Sequence, residues 1–216
     1  MIWNNHYRDV PEGAHAFLSA SKYQWINDSP EELLARYYRS FLPIIGTVAH
    51  DFAKDHIKYG MKLTKFMKNE LVLHMLKHGI PDNAIRALDL EAFYSNVQCY
   101  VNDAVEFDMV PEQPLYYSEK AFGTADAIAY DEERKLLRIH DLKTGAVPAS
   151  LNQLEIYAAY FFLEYKDAVG VPGKSKVELR IYQNNGILIG EPTAADIVPL
   201  MDRIVYNDKL ISNKER

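Results

Sequence analysis

Cysteine is almost missing from this chain, with Cys99 the one instance in 216 residues. An internal disulfide framework is thereby excluded, an iron–sulfur cluster lacks its four thiolates, and the usage fits a reducing cytoplasm. An excess of positive charge is missing too. Lys and Arg number 24 against 30 Asp and Glu, a formal net charge of −6. That excludes a protein that coats nucleic acid by bulk charge, and leaves a local basic track open. No apolar run is long enough to span a membrane, and the opening MIWNNHYRD carries no charged-then-apolar leader pattern. A soluble, cytoplasmic protein with no membrane partner is the expectation. A Gly-rich phosphate loop ending in Lys and Ser/Thr is also absent, since GTVAHDF and GAVPAS do not fit it. No nucleotide cofactor is therefore expected.

What is present is an apolar content of 48%, ample for a core at this length. With no repeat, low-complexity segment or dividing linker, residues 1–216 read as one domain. Residues 1–110 form a mainly helical part and 111–216 a sheet core. The fold class expected is α/β (α+β), a mixed central sheet flanked by helices. Up to about Lys22 the chain reads as irregular, with Pro11 and Gly13 as breakers. Ser21 suits a cap for a short helix through Trp25, and Ser29-Pro30-Glu31-Glu32 is a capping box for a helix towards Arg39. A helix from Ile45 places His50, Lys54 and Lys58 on one face. Lys62, Lys65 and Lys68 extend the basic character into a helix that ends before Gly79. These lysines fit phosphate contacts along a DNA strand, and each fits a solvated surface as well.

A helix from about Leu90 to Phe107 repeats Leu90, Phe93, Val97, Tyr100, Val101 and Ala104 at helical spacing. Pro111 and Pro114 end the helical part, and PLYYSEK is the first strand. Later come a helix over Asn152–Lys166, a loop VPGKSK, a strand KVELRIYQ and a turn at Asn185-Gly186 into ILIG. Thr193 with Asp196 starts a last helix, followed by a polar tail, NDKLISNKER, expected to fray.

The chain is organised around AFGTADAIAY and KLLRIHDL, two strand-like runs joined by the polar DEERK, hence a hairpin. With the turn centred on Glu133 and Arg134, Asp126 falls opposite Asp141, and Lys143 shares the face of Asp141. Two carboxylates brought together repel unless a cation lies between them, so the pattern suggests a divalent metal.

The hairpin resembles the core of the PD-(D/E)XK nucleases, and more closely their RecB-like exonuclease branch. Gly123-Thr124-Ala125-Asp126 matches the G-x-x-D motif, Asp141-Leu142-Lys143 the D-x-K, and Gln153 with Tyr157 the Q-x-x-x-Y of the following helix. Gly46-Thr47-Val48-Ala49-His50 looks like the branch's histidine motif. Ser21 resembles a serine near the start of many members. Glu112 resembles the glutamate before the first core strand, though its residue context equally fits a surface carboxylate; Glu119 reads as surface only. The single cysteine departs from the relatives that carry an iron–sulfur cluster, the CRISPR-adaptation nucleases among them.

The resemblance implies one or two Mg²⁺ or Mn²⁺ ions held by Asp126, Asp141, His50 and the backbone carbonyl of Leu142, with Glu112 as a further ligand. Lys143 would orient the attacking water and stabilise the phosphate. Gln153, Tyr157, Lys54, Lys58 and Thr144 would contact DNA. The implied activity is a metal-dependent DNA exonuclease of the bacteriophage type, serving recombination, replication or DNA processing in a bacterial host cytoplasm. A single-strand annealing or binding protein is an implied partner. An endonuclease of the same fold and a non-catalytic DNA-binding or assembly module are the alternatives.

Overall fold

Ser29 and Glu32 close a reciprocal box at the start of α1 (Pro30–Arg39). The Glu32 N–H donates to Ser29 Oγ at 3.2 Å, and the Ser29 N–H to Glu32 Oε2 at 2.8 Å. This computed structural model describes residues 9–10, 14–145 and 147–214. Pro11 and Gly13, read as breakers, lie outside the described residues. Contacts group the chain into two units, one ending at Phe41 and one running from Leu42. In the first, a 3₁₀ segment over Ala20–Asn27 precedes α1, and Tyr37 meets Phe17 and Phe41 edge-on at 5.1 and 5.2 Å. Ser21 is no cap. It lies inside the 3₁₀ segment, with its hydroxyl 3.0 Å from that of Ser19.

The second unit opens with α2 (Leu42–Lys58), α3 (Lys68–Lys77), the short α4 (Asp82–Arg86) and α5 (Leu90–Glu106). Three strands follow: β1 (Val110–Ser118), β2 (Ala121–Asp131) and β3 (Leu136–Leu142). After α6 (Asn152–Glu164) and α7 (Lys166–Val169) come β4 (Lys176–Gln183), β5 (Gly186–Gly190) and α8 (Ala194–Lys214). The strands lie in sequence order, and only β3 and β4 run parallel. That one parallel pair needs a crossover, and α6 is part of it. The fold is thus a mixed sheet flanked by helices, with a helical N-terminal half.

The sheet is packed on both faces. Leu137, Ile139, Leu179 and Ile181 bury against Leu154, Ala158 and Phe162 of α6. On the α5 side, His140 is fully buried beside the Tyr182 hydroxyl, which also donates to Asp103 Oδ2 at 2.6 Å. Arg138 lies over the Phe107 ring, 4.2 Å from its centroid.

Several boundaries differ from expectation. The strand expected from Pro114 begins at Val110 and takes in both prolines, which are tolerated because β1 is an edge strand. The hairpin turn sits one residue earlier, on Asn184 and Asn185 with φ of 51° and 59°, and Gly186 pairs with Gln183. The tail expected to fray is helical to Lys214, as no Gly or Pro interrupts it after Pro199. Tyr94 joins the buried stripe of α5, while Leu90 and Phe93 are only half-buried. Among the described residues, no helix is long and apolar enough to cross a membrane.

Candidate metal centre

Three carboxylates stand at one level across three strands. Between β2 and β3, Ala127 opposes His140 and Ile128 opposes Ile139, a register whose next position sets Asp126 against Asp141. Between β1 and β2, Pro111 opposes Ala127 and Gln113 opposes Ala125, so Glu112 falls level with Asp126. The ladder skips that level. Glu112 has a φ of 52°, a left-handed conformation unusual for a side chain of its kind and costly inside a strand.

Above this level passes α2. A Cβ at Gly46 would come within 2.7 Å of Thr144 Oγ1, so glycine there lets the helix close onto the loop after β3. One turn on, His50 Nδ1 lies 3.4 Å from Asp126 Oδ2. Donor atoms of His50, Glu112 and Asp126 all lie within 4.8 Å of one another. They line a cleft of about 450 Å³ with Thr47, Asp51, Lys54 and Thr144.

The charges are held under tension. Burial, and next the charge of Asp141, push the Asp126 carboxyl up to about 6; Glu112 adds to this, while His50 and the Leu142 N–H, which donates to Asp126 Oδ2 at 3.0 Å, act against it. Lys143 Nζ stands 2.9 Å from both oxygens of Asp141 and hydrogen-bonds Oδ1. Asp141 Oδ2 is left buried without a hydrogen bond. Two carboxylates and a nearby imidazole, with the Asp141–Lys143 ion pair beside them, fit a hard divalent ion, and the nitrogen donor suits Mn²⁺ better than Mg²⁺.

From Lys143 the polar chain runs on. Its ammonium donates to Gln153 Oε1 at 3.1 Å, and Gln153 Nε2 donates to the Tyr157 hydroxyl at 2.9 Å. The Tyr157 ring lies against Gly123, where a Cβ would come within 2.8 Å of its Cε1. Close approach of that ring is what requires glycine at this position.

The expected residues are therefore gathered with three exceptions. Glu112, which equally fitted a surface carboxylate, sits inside the donor cluster, whereas Asp141 stands outside it and faces Lys143. Leu142 meets the cluster through its N–H. Lys58 is not among the residues of the cleft, its ammonium lying 5.7 Å from the Tyr59 ring centroid. Lys62 and Lys68 are paired with Glu106 and Glu91, weak surface pairs that a phosphate can displace. Thr47 and Asp51 were missed; as the i−3 and i+1 neighbours of His50 on a helix, helical spacing alone signals Thr47.

Comparison with protein-family models, with curated proteins and with solved structures returns no match to this chain.

Proposed function

We propose that this protein is a divalent-metal-dependent deoxyribonuclease of the PD-(D/E)XK type, acting as an exonuclease on DNA ends. The observation that carries the reading is the level of Glu112, Asp126 and Asp141 across three strands, with His50 over one end and Lys143 at the other. Phosphodiesters resist hydrolysis because the attacking water and the leaving oxygen both need charge stabilisation. A bound Mg²⁺ or Mn²⁺ supplies it as a Lewis acid. His50, Glu112 and Asp126 would hold the ion, joined by Asp141 once an oxygen of it turns from Lys143 to the ion. Lys143, fixed between Asp141 and Gln153, would orient the water and offset charge on the phosphate. Tyr157 and Gln153 would hold the strand, and Lys54 and Thr144 would line its path through the cleft.

The test is cleavage of end-labelled linear DNA and closed circular DNA in EDTA, Mg²⁺ or Mn²⁺, with Asp141→Ala alongside. Metal-dependent loss of the linear DNA alone, abolished in the variant, is the expected result. Cutting of the circle would make the protein an endonuclease. Tight DNA binding with no turnover under any condition would leave a binding module.

A further inference from the structure

The segment that carries the functional side chains out of the sheet has little regular structure of its own. β3 ends at Leu142, the Lys143 N–H still donates to the Tyr182 carbonyl at 3.0 Å, and the chain then crosses to α6, which starts at Asn152. One side chain ties this crossing to the sheet. Gln183 Nε2 donates to the carbonyls of Gly145 and Val147, at 2.6 and 2.7 Å, and Gln183 Oε1 accepts from the Ala149 N–H at 3.0 Å. Both amide hydrogens and the carbonyl oxygen are thus spent on backbone groups of one loop.

Gln183 is itself firmly placed. It is the last residue of β4 and pairs with Gly186 across the tight Asn184-Asn185 turn, whose Asn185 N–H donates to Asn96 Oδ1 of α5 at 2.7 Å. Its amide acts as an extra peptide group, extending the sheet's hydrogen bonding beyond the Lys143–Tyr182 backbone bond to Gly145, Val147 and Ala149. The loop joins Lys143 to Gln153, whose side chains meet at 3.1 Å. Lys143 is thus held at its backbone by Tyr182 and at its ammonium by Asp141 and Gln153, with the Gln183 bonds fixing the chain that follows it.

We infer that Gln183 is a positioning residue of this centre, acting on Lys143 through Gly145, Val147 and Ala149. The inference rests on the nuclease reading for its kinetic consequence, and on geometry alone for its structural one. A misplacement of about 1 Å at a reacting group costs on the order of 100-fold in rate. Gln183→Met keeps the stem and removes all three bonds. Gln183→Glu keeps the acceptor and sets a carboxylate against two carbonyls.

Single-turnover cleavage with Mn²⁺, hydrogen exchange at the Ala149 amide and the NMR signal of Lys143 Nζ are measured for wild type and both variants. A thermal melt confirms that each is folded at the assay temperature. The expected result is a single-turnover rate about 10- to 100-fold lower, with the half-saturating protein and Mn²⁺ concentrations within about twofold of wild type. Faster exchange at Ala149 and a moved Lys143 signal should accompany it. A purely structural role would lower the melting temperature and leave the rate well below it unchanged. Wild-type rates in both variants, or an unmoved Lys143 signal, would overturn the inference while the nuclease reading stands. A wild-type protein that cleaves nothing would sink the nuclease reading, and exchange and NMR would then decide on Gln183 by themselves.

Discussion

At the scale of the residue, a half-buried carboxyl and a buried imidazole pull stability in opposite directions with pH. Burial and the neighbouring carboxylates raise Asp126 to about 6, so the folded chain takes up a proton between about 6 and the ordinary 3.8. This group therefore adds stability as pH falls through that window and costs stability above it. His140 does the reverse. Burial, and then Arg180 and Arg138, lower it from 6.5 to about 3, so the unfolded chain takes up the proton first and stability is lost as pH falls below 6.5. Asp126→Asn removes the first effect and leaves the second. In EDTA at pH 8 the variant should be more stable than wild type by on the order of 2–3 kcal/mol. Between pH 6 and 4 it should lose stability more steeply than wild type. Urea melts across pH 4–8 check both, and parallel curves would remove the raised Asp126 from the account. Lys143→Ala should leave Mn²⁺ affinity intact and reduce turnover by at least about 100-fold. Calorimetry beside a cleavage assay separates the two, and a wild-type rate would take Lys143 out of the mechanism.

At the scale of the element, the close contact between Gly123 on β2 and Tyr157 on α6 decides how strand and helix meet. Gly123→Ala places a methyl 2.8 Å from the ring. The ring must move, and its hydrogen bond to Gln153 and the link from there to Lys143 move with it. The expected outcome is a fall of about tenfold or more in cleavage rate at a melting temperature only a few degrees lower. Unchanged cleavage would show that Tyr157 does not depend on that contact. That contact was not readable from the sequence, whereas two other pairs were, because their arithmetic is local. Counting out from Glu133 and Arg134 gives the observed register of Asp126 and Asp141, and four residues on a helix bring Gln153 to Tyr157. Glu112 was not readable in the same way. Its φ of 52° is a feature of the folded strand, and nothing in a glutamate flanked by Pro111 and Gln113 signals it. Gln183 was invisible for a related reason, since its partners are backbone groups more than thirty residues away, and backbone groups leave no mark in a sequence.

At the scale of the whole molecule, the proposed nuclease activity requires a chain with a net charge of −6 to meet a polyanion at a cleft built around carboxylates. Lys54 lines that cleft and Lys143 pairs with Asp141 beside it. Few phosphates are neutralised by such a surface, so the salt dependence of DNA binding should be shallow, with a slope of about −2 to −3 in log affinity against log salt. A titration from 50 to 200 mM salt with Asp141→Ala in Mn²⁺ would measure it, and a slope near −8 would require a basic track elsewhere on the molecule. If the cleft holds the proposed ion, EDTA should weaken DNA binding further, because the carboxylates would then meet the phosphates uncompensated. The central claim is that the Glu112, Asp126 and Asp141 level, with His50, is a metal-dependent hydrolytic centre. Its most direct test is Mn²⁺-dependent cleavage of an end-labelled linear duplex by wild type beside Glu112→Gln and Asp126→Asn. The account predicts cleavage by wild type that EDTA abolishes and that both variants lose. Cleavage at the wild-type rate in EDTA or in either variant, or no cleavage by wild type with either ion, would contradict it.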